Sequence, residues 1–275
     1  MEDNNTIIEA NGREINCSFP IKYGLIQSNM WNLDEMDGYL NISKIQDSLN
    51  FKVKIDKAKP KKRTVFGYPE ICVGNNLMGQ RFNERSDING KFPSNLKDLL
   101  ERDVRLLTNF SIDQFAPLTL PFNISYDFWI RKDLKLRMPD QDEYEIMIWI
   151  YKNKQKPIGE KKNSITVPCK IEGKYQKFNF DVWYGSAAQW KTITFTTEDD
   201  NPFVGMRTEI SINEFFRESM KHMGRERKDY DELYLMGLEL GSEFGDPDKI
   251  IAELIWTLKE YKLIYEKETL NLLEF

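Results

Sequence analysis

A chain of 275 residues that is 40% hydrophobic and 13% aromatic can bury a substantial core and lies outside the compositional range of disordered proteins. Its 39 basic and 44 acidic residues leave a net charge of −5 without long like-charged blocks, which argues against nucleic acid as a partner, since phosphate binding asks for a concentrated basic patch. One histidine, His222, and three widely spaced cysteines, Cys17, Cys72 and Cys169, exclude His-based triads, most His-ligated catalytic metals and zinc signatures, so acid–base chemistry falls to carboxylates.

A single disulfide is compatible with the cysteine count, but its pairing is not readable. No apolar run reaches the length of a membrane span. The opening "MEDNNTII" lacks the basic and apolar regions of a signal peptide, so the chain is either cytoplasmic or secreted with its signal already removed.

In chain order, alternating polar and apolar runs bounded by Gly, Pro, Asn and Asp recur from the N-terminus, predicting many short strands. The basic run "KAKPKKR", 57–63, reads as a solvated hairpin tip. Residues 94–107 have helical spacing, although their second half reads equally well as a strand. Strands are predicted over 123–131 and 143–151. In the first, Asn123, Ser125, Asp127, Trp129 and Arg131 share one face; in the second, Glu143, Glu145, Met147, Trp149 and Tyr151 do. "FNFDVWYG", 178–185, likewise sets Asn179, Asp181 and Trp183 against Phe178, Phe180, Val182 and Tyr184.

The clearest helix is 212–224, with Ile212, Phe215, Phe216, Met220 and Met223 at helical spacing, Ser211 as N-cap and Gly224 as stop. Extended, 233–247 places Glu239, Gly241, Glu243 and Gly245 on one face. The glycines there fit either an open carboxylate or a bend. The aromatic and β-branched content of 250–268 predicts a closing strand. Many strands and one clear helix imply an all-β sandwich of two packed antiparallel sheets with the helix packed outside, in one domain spanning 1–275. Residues 1–14 are expected to form a loosely ordered arm.

Tryptophan beside Asp or Glu on several strands fits a sugar-binding groove, because indoles stack on pyranose faces and carboxylates accept their hydroxyls. A sandwich whose outer face is covered by loops fits the same pattern. Two accessible carboxylates without a usable histidine suit glycoside hydrolysis, which needs one carboxylic acid and one carboxylate.

"YEIMIWI" (144–150) and "GSEFGDP" (241–247) resemble the nucleophile and acid/base strands of glycoside hydrolase family 12, the endo-β-1,4-glucanases. "NMW" (29–31), "GYPEI" (67–71), "NISYDFWI" (123–130), "KPIG" (156–159) and "FDVWYG" followed by "WKTITF" (190–195) match in the family's order. The similarity covers nearly the whole chain.

The resemblance implies a β-jelly roll with its cleft on the concave face and a retaining mechanism on cellulose or related β-glucans. It implies Glu145 as nucleophile, Glu243 rather than Glu239 as acid/base, and Asp127 beside the nucleophile. Asn29 and Trp31 match glycone-side contacts, and Asn123, Met147, Trp149 and Pro157 match cleft-lining residues. Glu143 reads as a solvated strand-end residue. No cofactor, no metal and no partner beyond a β-glucan is implied, and the chain is expected to be a secreted monomer. Hydrolysis or transglycosylation of xyloglucan or mixed-linkage glucan, and a non-catalytic glucan-binding jelly roll, stay open. The sequence departs from the family at Met78, where relatives carry a tryptophan, at "NMWN", which lacks the usual glycine, and at 55–65, which has no counterpart.

Overall fold

The computed structural model describes residues 4–62, 64–74, 88, 90–134, 138–187, 189–198, 201–224, 227–246 and 248–275. Its first strands are β1 (Asn4–Gly12), β2 (Ser18–Ile21), β3 (Gly24–Gln27), β4 (Leu33–Ile45), β5 (Ser48–Pro60) and β6 (Glu70–Gly74). The short β7 (Ser94–Asn95) leads into helix α1 (Leu96–Glu101), followed by β8 (Val104–Ala116), β9 (Phe122–Arg131) and β10 (Tyr144–Asn153). Then come β11 (Glu160–Ile171), β12 (Lys174–Ala187), β13 (Trp190–Thr197), β14 (Thr208–Ser211) and helix α2 (Ile212–His222). The chain closes with β15 (Tyr234–Leu235), β16 (Gly237–Gly241), β17 (Ala252–Tyr265) and β18 (Glu268–Asn271).

Two sheets stack face to face. One runs β1-β4-β5-β17-β8-β14. The other runs β2-β3-β6-β16-β9-β10-β13-β12-β11. Because β14 bonds both β8 and β11, the sandwich is nearly closed along that side. Among the described residues every named pairing is antiparallel except β10 with β13. This is the β-jelly-roll arrangement that the resemblance implies, and the β14 bridge covers two of the strand edges that would otherwise lie open.

The periodicity explains the core. Phe51, Val53 and Ile55 of β5 are buried between Lys52 and Lys54, and Phe51 stacks on Trp256 of β17 at 4.2 Å between ring centroids. Region 94–107 divides, as its dual pattern allowed. Leu96, Leu99 and Leu100 bury one turn-and-a-half of helix, and from Val104 the chain pairs with β17. Helix α2 sets Phe215 against Phe180 and Phe195, and Phe216 edge-on to Phe128, so it packs on the back of the second sheet. Gly224 lies just beyond its C-terminus with a left-handed φ of 61°; Ser211 holds the N-cap position without a side-chain cap bond.

Two expectations need correction. Residues 4–12 are no loose arm: they form β1, paired along β4, and bury Ile8 and Ala10. Glu143 is no solvated residue: it is fully buried, with its Oε2 at 2.9 Å from Arg131 Nε. Lys132 and Asp140 donate their backbone N–H groups to its two oxygens. A charge so deep requires such a partner and such donors. The cysteines are three free thiols, Cys72 and Cys169 buried and Cys17 half-buried. The departure noted at Met78 lies outside the described residues.

Candidate active site

The second sheet carries the site because its strands β6, β16, β9 and β10 lie side by side and offer carboxylates on one face, with β13 beside β10. Register places Glu239 opposite both Asp127 and Cys72, Asp127 opposite Met147, and Glu145 opposite Trp129 and Thr192. Side chains directly opposite one another share a face, so residues far apart in sequence converge on one cleft.

Glycines shape its centre. A Cβ on Gly241 would lie 2.5 Å from the Pro69 carbonyl oxygen, and one on Gly245 would lie 2.5 Å from the Phe66 ring. Both therefore serve close approach within the protein, and the φ of 114° at Gly245 turns the chain after Glu243. Asn123 N–H donates to the Glu243 carbonyl at 2.9 Å, anchoring this segment to β9.

Two cavities meet over the carboxylates. The smaller, about 130 Å³, is lined by Asn29, Tyr68, Glu70, Asp127, Trp129 and Glu239. The larger, about 550 Å³, is lined by Met147, Trp149, Gln155, Ile158, Thr192 and Thr194, with Lys62 and Lys156. Among the described residues only Trp31, Glu145, Trp190 and Glu243 line both.

Glu145 accepts hydrogen bonds from Trp190 Nε1 and Thr192 Oγ1, each at 3.0 Å. Burial pushes its pKa up, and these two donors together with a hydrogen bond from Asp127 pull against that rise. Asp127 is pushed well above the carboxylate range, by burial first and then by the charge of Glu145, which favours its protonated form. Glu243 is raised to about 7 by burial and the neighbouring Glu145 charge. Asn123 Nδ2 at 2.8 Å and Gln155 Nε2 at 3.0 Å donate to its Oε2 and oppose the rise.

A second group of acids lies deeper. Glu239 is raised to about 7, chiefly by burial, and accepts from Trp129 Nε1 and from the Cys72 thiol. Glu70 is pushed well above its ordinary value by burial and by Glu239, and accepts from Asn29 Nδ2 at 2.7 Å. One donor atom from each of Glu70, Cys72 and Glu239 lies within 4.8 Å of the others, the grouping among the described residues best placed to ligate a cation.

The predicted residues mostly converge. Glu145, Glu243, Asp127, Asn29, Trp31, Met147 and Trp149 line the cleft. Asn123 is buried beneath it and reaches it through Glu243. Pro157 lines neither cavity, although its neighbours Lys156 and Ile158 line the larger one. The β12 face contributes less than its pattern suggests. Asp181 pairs with Lys161 at 2.6 Å, and Trp183 is absent from both linings. Glu70, Glu239, Gln155, Trp190 and Thr192 received no role from the sequence. A glutamate heading the apolar run of "EICVG" was the available signal for Glu70. Nothing local marks Trp190 or Thr192, which reach Glu145 only through the β10–β13 pairing.

A jelly roll whose concave sheet holds paired carboxylates among tryptophans is the architecture of a carbohydrate-active hydrolase. The sequence model of glycosyl hydrolase family 12 matches residues 22–262, and the chain belongs to that family. It is a glycoside hydrolase. Among curated proteins none matches. Among solved structures, a family 12 xyloglucanase from Bacillus licheniformis is 17% identical, covering 94% of this chain and 100% of its own, with a TM-score of 0.66. The endoglucanase cel12A of Rhodothermus marinus is also 17% identical, covering 96% and 100%, with a TM-score of 0.66. Endoglucanase 3 of Trichoderma harzianum is 13% identical, covering 96% and 98%, with a TM-score of 0.64. At such identities these structures speak for the shared fold alone.

Proposed function

We propose that the protein is a retaining, endo-acting β-1,4-glucanase that works through a covalent glycosyl-enzyme. The observation that carries this reading is the position of Glu145 and Glu243, the two carboxyl groups that line both cavities, where a chain threading the cleft would present its scissile bond. Their environments push them toward different protonation states. Glu145 receives hydrogen bonds that favour its ionised form, whereas Glu243 is raised to about 7. A nucleophile and a general acid need that division.

Glu145 attacks the anomeric carbon while Glu243 protonates the departing glycosidic oxygen, giving an ester to Glu145 and a free leaving-group sugar. The ester removes the charge on Glu145, which lowers the pKa of Glu243 and readies it to deprotonate water. That water attacks the anomeric carbon, releases the product with its configuration retained, and frees the carboxylate. Retention requires carboxyl groups roughly 5–5.5 Å apart. Asp127 holds Glu145 by a shared proton.

Glu239 is equally raised, but it lines only the smaller cavity and is engaged by Trp129 and Cys72, so Glu243 takes the acid role. Asn29 and Trp31 serve the glycone side; Met147 and Trp149 serve the leaving-group side. No cofactor enters this chemistry. A polymeric substrate implies work outside the cell, and the cleft lies within one chain, which suits a monomer.

The test is viscosity loss and new reducing ends on soluble cellulose derivatives, with xyloglucan and barley mixed-linkage glucan alongside. Rapid thinning that disappears in Glu145→Gln, with a β-anomer released first, is expected. An α-anomer would sink the retaining mechanism. Binding of the glucans without turnover by the folded protein would favour the binding-module reading.

A further inference from the structure

The basic run at 57–63 takes no part in the chemistry above, yet one of its lysines reaches the cleft. Lys62 lines the larger cavity together with Thr64, Val65 and Trp31. Lys156, from the segment that follows β10, also lines it. Both are exposed, and neither has an ion-pair partner among the described residues. That sets them apart from many lysines elsewhere in the chain. Lys97 pairs with Asp231, Lys132 with Asp142, Lys161 with Asp181 and Lys262 with Glu260. Lys61, beside Lys62, donates to the Trp31 carbonyl at 3.1 Å, tying the run to the tryptophan that spans both cavities.

A neutral glucan offers an ammonium group only hydroxyls, which water replaces at no loss. Two unpaired cations add positive charge to one half of a cleft otherwise built of carboxylates and indoles, within a protein of net charge −5. Such local charge selects ligand charge, because like and unlike charges are sorted most strongly at close range between low-dielectric walls. The lysines border the larger cavity and not the smaller one, which holds Asn29 and Glu70. The selection therefore acts on the sugars beyond the scissile bond.

We propose that the leaving-group half of the cleft, through Lys62 and Lys156, is adapted to β-glucan chains bearing carboxylate substituents. This rests on the hydrolase reading above and names the substrate class of that same site. Trp190 gives the sugar rings an apolar face to stack on, and the two lysines meet the carboxylates that project from them.

The experiment compares carboxymethyl-cellulose with hydroxyethyl-cellulose of matched chain length and degree of substitution, at 20 and 300 mM NaCl. Two exposed ion pairs predict a kcat/KM advantage of about three- to tenfold for the carboxymethyl polymer at low salt. It should shrink at high salt as the screening length falls from about 20 to about 6 Å. Lys62→Gln/Lys156→Gln should remove the advantage, mostly through KM, and Lys62→Arg/Lys156→Arg should keep it. Lys174→Gln/Lys177→Gln, which removes the same charge from exposed positions on β12, should also keep it.

Equal kcat/KM on the two polymers at both salt concentrations overturns the proposal, as does an advantage that survives in the double glutamine variant. Cleavage of neither polymer would instead refute the reading of the protein as a hydrolase of cellulose-type chains. Retardation of the protein in native gels containing each polymer then decides the charge preference by itself, preferential retardation by carboxymethyl-cellulose upholding it and equal retardation overturning it.

Discussion

Replacing Gln155 by leucine tests the assignment of Glu243 through its proton. Gln155 Nε2 lies 3.0 Å from Glu243 Oε2, and an N–H donor favours the ionised carboxylate. Leucine keeps the bulk and removes the donor. A hydrogen bond to a charged group contributes about 1.5–3 kcal/mol. Gln155 is only half-buried, so the lower end applies, about 1.5 kcal/mol or about one pKa unit. Glu243, raised to about 7 in the native protein, would move to about 8.

The general acid then keeps its proton to higher pH, and the alkaline limb of kcat/KM moves upward by about one unit. The assay is kcat/KM against pH on an unmodified cello-oligosaccharide, repeated on a dinitrophenyl cellobioside. That second leaving group departs without protonation, so its alkaline limb should not follow Glu243 in either protein. An alkaline limb that stays in place, or moves downward, would refute the reasoning and take the acid role away from Glu243.

Trp190→Phe removes a 3.0 Å donor to Glu145, so the nucleophile's pKa rises further and the acid limb of kcat/KM moves up by about half to one unit; a kcat/KM profile from pH 4 to 7 reads it. Arg131→Met leaves the buried Glu143 without its cation and should lower unfolding stability by about 3–5 kcal/mol in urea titration, with Arg131→Met/Glu143→Leu recovering much of that loss. Glu239 and Glu243 hold their protons to about 7 in the folded state, against an ordinary value of 4.5. Their contribution is complete below the unfolded pKa and is lost as pH rises through 7. The thermal midpoint should therefore fall between pH 5 and 8.5, and Glu239→Gln should flatten that fall by a few degrees.

Periodicity alone singled out much of the site. Alternation in 143–151 put Ile146, Ile148 and Ile150 in the core and turned Glu145, Met147 and Trp149 to the opposite face, as the structure has them. The same count paired Glu239 with Glu243, and helical spacing marked α2 to within two residues of its end. These are local properties, since a strand's two-residue period is fixed by its own backbone.

Local spacing does not say what lies opposite. It made Glu143 a surface residue because the strand ends there, whereas the fold brings Arg131 beside it and buries both. It left the glycines around Glu243 divided between substrate access and backbone packing, and only the approach of Pro69 and Phe66 decides for packing. It did not connect Trp190 and Thr192 with Glu145, because the parallel pairing of β10 with β13 spans the whole β11–β12 hairpin. Whether a carboxylate is ionised depends on burial and on donors from other strands. The sequence by itself therefore turned Glu145, Glu239 and Glu243 to the cleft, and the tertiary structure brought Glu70 in, took Glu143 out and set the burial and donors on which each proton depends.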